Sequence, residues 1–246
     1  MRFLFTILLL SIVSGSFCQE VIFTDRPNVT DAVAVLNKGT FQIEAGYLTS
    51  KSGTGPAETT FTTVPNLSFK YGLSDKIELR VLTNYASLDN AGAEVSGLTP
   101  ITISPKFALL EQDGIIPKTT LALALTFPDV GEEAFQVQDL NYNFRGLFEY
   151  NFDFLTWTNS LGVDFVDNNE NVFAWTTVLG KSVTDKLGLF FELYGYEGDG
   201  YSAQNIDFGL TYIVNNDLQV DFIYGLNVDS NEDSSILGFG LAYKFN

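Results

Sequence analysis

Apolar and polar residues alternate along most of the chain, and the alternation is clearest at its end. In LGFGLAYKF, residues 237–245, every second residue is Leu, Phe or Tyr, and Gly, Ala and Lys stand between them. Successive side chains of a β-strand point to opposite faces, so one face of this strand is apolar. We predict about twelve such strands, of the length that a tilted strand needs to cross a membrane. Their predicted ranges are 39–50, 59–72, 76–88, 99–110, 118–127, 139–152, 153–166, 171–182, 185–197, 203–214, 217–229 and 234–246.

Short turns and longer loops alternate between the predicted strands. Turns such as 73–76 and 183–186 join every other pair, and polar loops such as 50–58 and 128–138 join the rest. The alternative is a secreted soluble β-sandwich, whose strands also alternate apolar and polar residues but turn a charged face to water. Here the polar face is mostly small and uncharged. The pattern predicts an all-β fold: a single transmembrane antiparallel up-and-down β-barrel with short periplasmic turns and longer extracellular loops.

The first residues have the pattern of a secretory signal peptide. Residues 1–18, MRFLFTILLLSIVSGSFC, contain one Arg, an apolar run and then small residues. We predict a signal peptide at 1–18, a periplasmic leader or lumen plug at 19–38, and a barrel at 39–246. Cleavage after Cys18 would remove the only cysteine; retention of an acylated Cys18 is disfavoured by the bulky Phe17 before it. No later apolar run is long enough for a transmembrane helix.

The composition of the chain excludes several classes of function. The chain has no histidine, and a mature chain without Cys18 would have no cysteine. A histidine-assisted nucleophile or a His-ligated zinc site therefore cannot form. We expect no enzymatic activity, cofactor or metal site. After loss of Arg2, 12 Lys and Arg face 30 Asp and Glu, a net charge of −18. Such a chain lacks the basic surface that nucleic acid requires, so no nucleic-acid partner is expected.

The start of the mature chain resembles a known family. Residues 23–47, FTDRPNVTDAVAVLNKGTFQIEAGY, and residues 71–81, YGLSDKIELRV, are similar to the outer-membrane barrels of the MetA-pathway of phenol degradation family. Thr24–Pro27, Lys38–Gly39 and Phe41–Glu44 carry the resemblance. Asn37 departs from it, because proline often stands there in the family. The resemblance implies an outer-membrane transporter for small compounds, among them hydrophobic or aromatic ones.

The alternation also predicts which charged side chains face the lumen. The candidates for the lumen or a solute pathway are Glu44, Lys70, Glu78, Arg80, Lys106, Arg145, Glu149, Asp164, Glu192, Asp207 and Asp221. Those before residue 150 make one wall mixed or basic, and those after it make the other wall acidic. Two facing walls of different charge would place a transverse electric field across a pore. Alternatively, these charges pair with one another and fill the interior.

Two short segments have specific predicted roles. Asp25, Arg26 and Pro27 are candidates for a plug that hydrogen-bonds to lumen charges such as Arg80 or Glu78; the alternative is a disordered leader. Tyr243 and Phe245 are candidates for the aromatic terminal signal that barrel-assembly machinery recognises, although Phe245 is penultimate rather than last.

Two functions are consistent with these features of the sequence. The first is an outer-membrane channel for diffusion or uptake of small solutes, and the second is a non-conducting structural or adhesive barrel with acidic surface loops. In both, the expected partners are outer-membrane lipid and lipopolysaccharide, and in the first also a small-molecule solute.

Overall fold

The computed structural model describes residues 21–167, 170–228 and 234–245. The predicted signal peptide lies outside this part of the chain. Among the described residues, no helix is both long and apolar enough to cross a membrane. The strands are β1 (Phe41–Ser52), β2 (Thr59–Ser74), β3 (Ile77–Asn90), β4 (Ala93–Leu98), β5 (Thr102–Leu110), β6 (Lys118–Thr126), β7 (Asn141–Phe152), β8 (Leu155–Val166), β9 (Glu170–Ser182), β10 (Leu187–Gly198), β11 (Tyr201–Asn215), β12 (Leu218–Asn227) and β13 (Ser234–Phe245). Two short 3₁₀ helices, Gly55–Ala57 and Glu133–Phe135, lie in loops.

Antiparallel pairing closes these strands into a barrel. Strand β1 pairs with β2 on one side and with β13 on the other, where Phe41 stands opposite Phe245. Strands β4 and β5 both pair with β3, β4 at its loop end and β5 at its turn end, so they share one position in the wall. The predicted closed barrel of twelve strands is confirmed.

The fourth predicted strand, 99–110, is wrong at its start. The chain forms β4 up to Leu98, breaks at 99–101 and resumes as β5 at Thr102. Pro100 lies in the break, and proline has no N–H to donate to a ladder. Strand β3 bridges the gap, because Asn84 donates its backbone N–H to Thr99 Oγ1 at 3.0 Å and accepts the Thr99 N–H at 2.9 Å.

The outside of the barrel is apolar and the inside is charged. Outward side chains such as Phe144, Phe208 and Phe239 are about half exposed, whereas the inward Lys70 and Lys106 are fully buried. A water-soluble protein shows the reverse arrangement, and a barrel in lipid requires this one. The terminal aromatics Tyr243 and Phe245 lie on the outer face, with ring centroids 4.7 Å apart.

Candidate functional site: the lumen and the segment inside it

Residues 21–38, here called the lumen segment, lie inside the barrel. The segment enters and leaves at the rim that carries the short turns. At its start, the Ile22 N–H donates to the Asn216 carbonyl at 2.9 Å; at its end, the Lys38 N–H donates to Asp75 Oδ1 at 3.0 Å. Between these points Val33 and Leu36 are almost completely buried. The segment is therefore a loop that rises into the lumen and returns to the same rim before β1 begins.

Asp25 is the centre of the contacts with the basic wall. Its carboxylate lies 2.9 Å from Lys70 Nζ, 3.1 Å from Arg80 Nη1 and 3.2 Å from Lys106 Nζ. Burial by itself raises the pKa of the Asp25 carboxyl, but these cations outweigh it and hold the pKa well below its usual range. The carboxylate also accepts the Ala32 N–H at 2.9 Å, so it fixes the fold of the segment as well as its place.

The acidic residues of the same wall hold the segment by its backbone. Glu44 accepts the N–H groups of Asp25 and Arg26 at 3.1 and 3.2 Å, and Glu78 accepts the Leu36 N–H at 2.8 Å. Lys106 donates in turn to two carbonyl oxygens of the segment, those of Ala32 and Ala34. The mixed wall thus supplies both donors and acceptors to a backbone that has no strand partner.

Arg26 links the mixed wall to the adjoining strand of the acidic wall. Its guanidinium donates to both oxygens of Asp221, at 3.2 and 3.3 Å, and to Asn66 Oδ1 at 3.1 Å. It lies directly against Gly46 and Gly240, where an added Cβ would stand about 2.5 Å from guanidinium atoms. The glycines on β1 and β13 therefore make the space that this side chain occupies. Pro27 follows through a cis peptide bond.

Glu192 holds the part of the segment that lies deepest in the barrel. It accepts the N–H groups of Val29 and Thr30 at 2.9 and 2.8 Å, and the Thr30 hydroxyl at 2.5 Å. The Thr30 hydroxyl also hydrogen-bonds the hydroxyl of Thr176. Asp207 is directly opposite Glu192 in the ladder, so the two carboxyl groups face each other in the lumen.

The remaining candidates, Arg145, Asp164 and Glu149, have partners in the wall rather than in the segment. Arg145 donates to both oxygens of Asp164 at 2.6 and 2.7 Å across the β7–β8 ladder. Glu149 is opposite Lys118 in the β6–β7 ladder and accepts a hydrogen bond from Thr158 at 3.4 Å. The two predicted walls therefore meet at β7 and β8.

Cavities lined by the described residues lie in the lumen around the segment. A loop-side cavity of about 1090 Å³ is lined by residues that include Val29, Tyr194 and Tyr196. A mid-lumen cavity of about 350 Å³ is lined by Val29, Asp31, Arg80, Arg145, Leu147, Ser160 and other residues. A turn-side cavity of about 310 Å³ is lined by Asp31, Glu149, Thr156, Thr158, Val178 and other residues. In the described part of the chain, no three His, Cys, Asp or Glu side chains are placed to hold a metal ion.

Sequence reasoning missed several residues that hold the segment. Asp31 pairs with Arg80 at 2.8 Å, Gln42 donates to the Phe23 carbonyl at 2.9 Å, and Gln219 donates to Thr24 Oγ1 at 2.6 Å. Gln42 and Gln219 share the inward parity of Glu44 and Asp221, so alternation alone could have found them. Asp31 carried no such signal, because it lies outside the strands.

Comparison with known proteins points to the same fold. The sequence family described as "Putative MetA-pathway of phenol degradation" matches residues 24–245. Among solved structures, the COG4313 outer membrane channel from Pseudomonas putida F1 is similar with a TM-score of 0.68 at 13% identity, covering 87% of this chain and 98% of that one. The NanC porin gives 0.59 at 11%, covering 83% and 100%, and the KdgM porin gives 0.55 at 11%, covering 82% and 99%. No curated protein matches.

Proposed function

We propose that this chain, a member of the family described as "Putative MetA-pathway of phenol degradation", forms an outer-membrane channel for small solutes. The observation that carries the proposal is the pair of cavities that approach the lumen segment from opposite ends. The mid-lumen and turn-side cavities both reach Asp31, so a short partition separates them. A barrel closed by packing alone would fill this space with side chains, as small barrels do.

The apolar exterior supports placement in a membrane. Its aromatic and aliphatic side chains are exposed on the outer surface of the barrel. In an outer membrane, the turn rim would face the periplasm and the loop rim the outside. The outward Tyr243 and Phe245 would then be available to barrel-assembly machinery, and the acidic loops would meet lipopolysaccharide.

The lining of the cavities favours small solutes that are neutral or zwitterionic. The loop-side cavity is lined by Ser, Asn, Gly, Tyr and aliphatic residues, with no charged side chain among its described lining residues. Tyr194 and Tyr196 stand there edge to face, 6.1 Å between ring centroids. Aromatic faces and hydroxyls together suit amphipathic solutes, aromatic ones included. Deeper in, Asp31, Arg80 and Arg145 offer both charge signs.

The alternative function has its own observation. Most of the predicted lumen charges pair with the lumen segment or with one another, as they would in a filled and non-conducting barrel. Such a barrel would act structurally or through its acidic loops. The two proposals differ in whether small solutes cross the protein.

Liposome swelling separates the two proposals. We expect proteoliposomes that contain the refolded mature chain to swell in glycine or arabinose and not in a tetrasaccharide, because only small solutes fit beside the segment. Protein-free liposomes provide the baseline, and heat-modifiable electrophoretic mobility shows that the barrel is folded. If a folded, inserted barrel causes no swelling in any solute, the channel proposal fails and the filled barrel stands.

A further inference from the structure

The lumen segment is fastened to only part of the wall. In the described part of the chain, the hydrogen bonds and ion pairs of residues 22–36 and Lys38 with the wall end on strands β1, β2, β3, β5, β6, β9, β10 and β12, and at the two turn-rim positions already described. Among the described residues, β4, β7, β8, β11 and β13 give it no such contact, and of these β7 and β8 are neighbours in the sheet. Their inward charged groups are occupied within the wall, Arg145 by Asp164 and Glu149 by Thr158. One face of the segment is therefore free of polar attachment.

The cavities follow that free face. On β7, Asn143, Arg145 and Leu147 line the mid-lumen cavity, and the next inward residue, Glu149, lines the turn-side cavity. On β8, Ser160 lines the first cavity and Thr158 the second. Neighbouring inward residues of a strand are about 7 Å apart, so the two cavities lie within one side-chain spacing of each other on this wall.

On the β7–β8 wall, the partition between the cavities is made of uncharged side chains, with Asp31 of the segment facing them. Leu147 packs with Val33 and Ala122, and Ser160 is nearly buried beside them on the next strand. Asp31 is common to both cavities and is held from one side by Arg80. Leu147 and Ser160 take no part in the Asp25, Arg26 or Glu192 contacts, so these two side chains can shift while those contacts stay in place.

We infer that solutes cross between the lumen segment and the β7–β8 wall while the segment stays in place. Leu147 and Ser160 set the size limit of this passage, and Arg145, Asp31 and Glu149 set its charge preference. The inference rests on the proposed channel function and specifies its route. The opposite mechanism, in which the segment must leave the lumen, would open a much wider pore.

A reversible cross-link tests the route. The pair Thr30→Cys and Thr176→Cys would join the segment to β9, at hydroxyls that are hydrogen-bonded in the structure. The chain's own cysteine is Cys18, which the mature chain would lack, so no other thiol competes. We expect the oxidised protein to conduct as well as the reduced protein and the single variant Thr176→Cys. Conductance that appears only after reduction would overturn the inference and leave the channel proposal intact; no conductance in the unmodified chain would overturn the channel proposal itself.

A steric block tests the position independently of the cross-link. We expect Ser160→Trp to lower single-channel conductance by roughly tenfold, because an indole at the partition fills the narrow part of the passage. Ser50→Trp is the matched control, since Ser50 lines the loop-side cavity of about 1090 Å³ and an indole leaves that space open. Equal conductance of Ser160→Trp and Ser50→Trp, with both barrels folded, would contradict the route.

Discussion

Adjacent residues of the lumen segment neutralise charges of both predicted walls. Asp25 turns to Lys70, Arg80 and Lys106, and Arg26 turns to Asp221. Strand β12 is separated from β1 only by β13, so this two-residue unit neutralises charges of both walls where the walls adjoin. Each buried charge needs such a partner, because an unpaired charge in a low-dielectric interior is strongly destabilising. The segment is thus an electrostatic component of the barrel.

Removal of the Asp25 charge tests this role. We expect Asp25→Asn to lower the free energy of unfolding by about 3–5 kcal/mol, because three buried cations lose their shared anion. Urea unfolding in detergent or lipid, followed by tryptophan fluorescence, measures the change. Glu58→Gln is the control: it removes an exposed partner of Lys51, and such pairs contribute about 1 kcal/mol or less. Equal effects of the two variants would contradict the role of Asp25.

The same carboxylate predicts a dependence on pH. Because the folded-state pKa of Asp25 lies below its unfolded value, its contribution is fully present above the unfolded pKa and is lost as pH falls through the folded one. The stability difference between the native chain and Asp25→Asn should therefore be the same at pH 8 and pH 5, and should shrink only in strong acid. A difference that disappears between pH 8 and pH 5 would show that Asp25 is not held ionised by these cations.

At the scale of elements, the segment and the barrel meet where β1 begins. The Gly39 N–H donates to the Gly72 carbonyl at 2.8 Å, and the Gly72 N–H donates to the Thr40 carbonyl at 3.0 Å. Gly39 has a φ of 85°, a conformation that favours glycine. A Cβ on Gly72 would stand 2.0 Å from the Asn37 carbonyl oxygen. The chain can turn from the lumen into the first strand only because Gly72 has no side chain.

A glycine pair tests this junction. We expect Gly72→Ala to lower the free energy of unfolding by about 1–3 kcal/mol, because the clash involves backbone that cannot move aside cheaply. Gly180→Ala is the control, since an added Cβ there meets nothing within 4 Å, and its effect should stay within roughly 0.5 kcal/mol. Unfolding midpoints of the two variants in urea provide the comparison. If both variants unfold like the native chain, the junction does not depend on Gly72.

At the scale of the whole molecule, the sequence predicts the barrel better than it predicts the contents of the barrel. Two-residue alternation places Lys70, Glu78 and Arg80 inward and the aromatic residues outward, because register and closure depend on that parity. Alternation cannot report that Glu192 binds the N–H groups of Val29 and Thr30, since backbone groups have no sequence signature. It also missed the break at Pro100, where pairing with β3 continues on both sides.

Single-channel conductance of the refolded mature chain, residues 19–246, in a planar bilayer shows whether ions cross the barrel beside the lumen segment. We predict small, discrete and long-lived steps, because the passage beside the lumen segment is narrow and the segment is tied to eight strands of the wall. Charge reversal of Glu149 to Lys should then shift the ion selectivity toward anions, seen as a shift of the reversal potential in a salt gradient. Barrels that are folded and inserted yet give no steps would contradict the account and leave a filled, non-conducting protein.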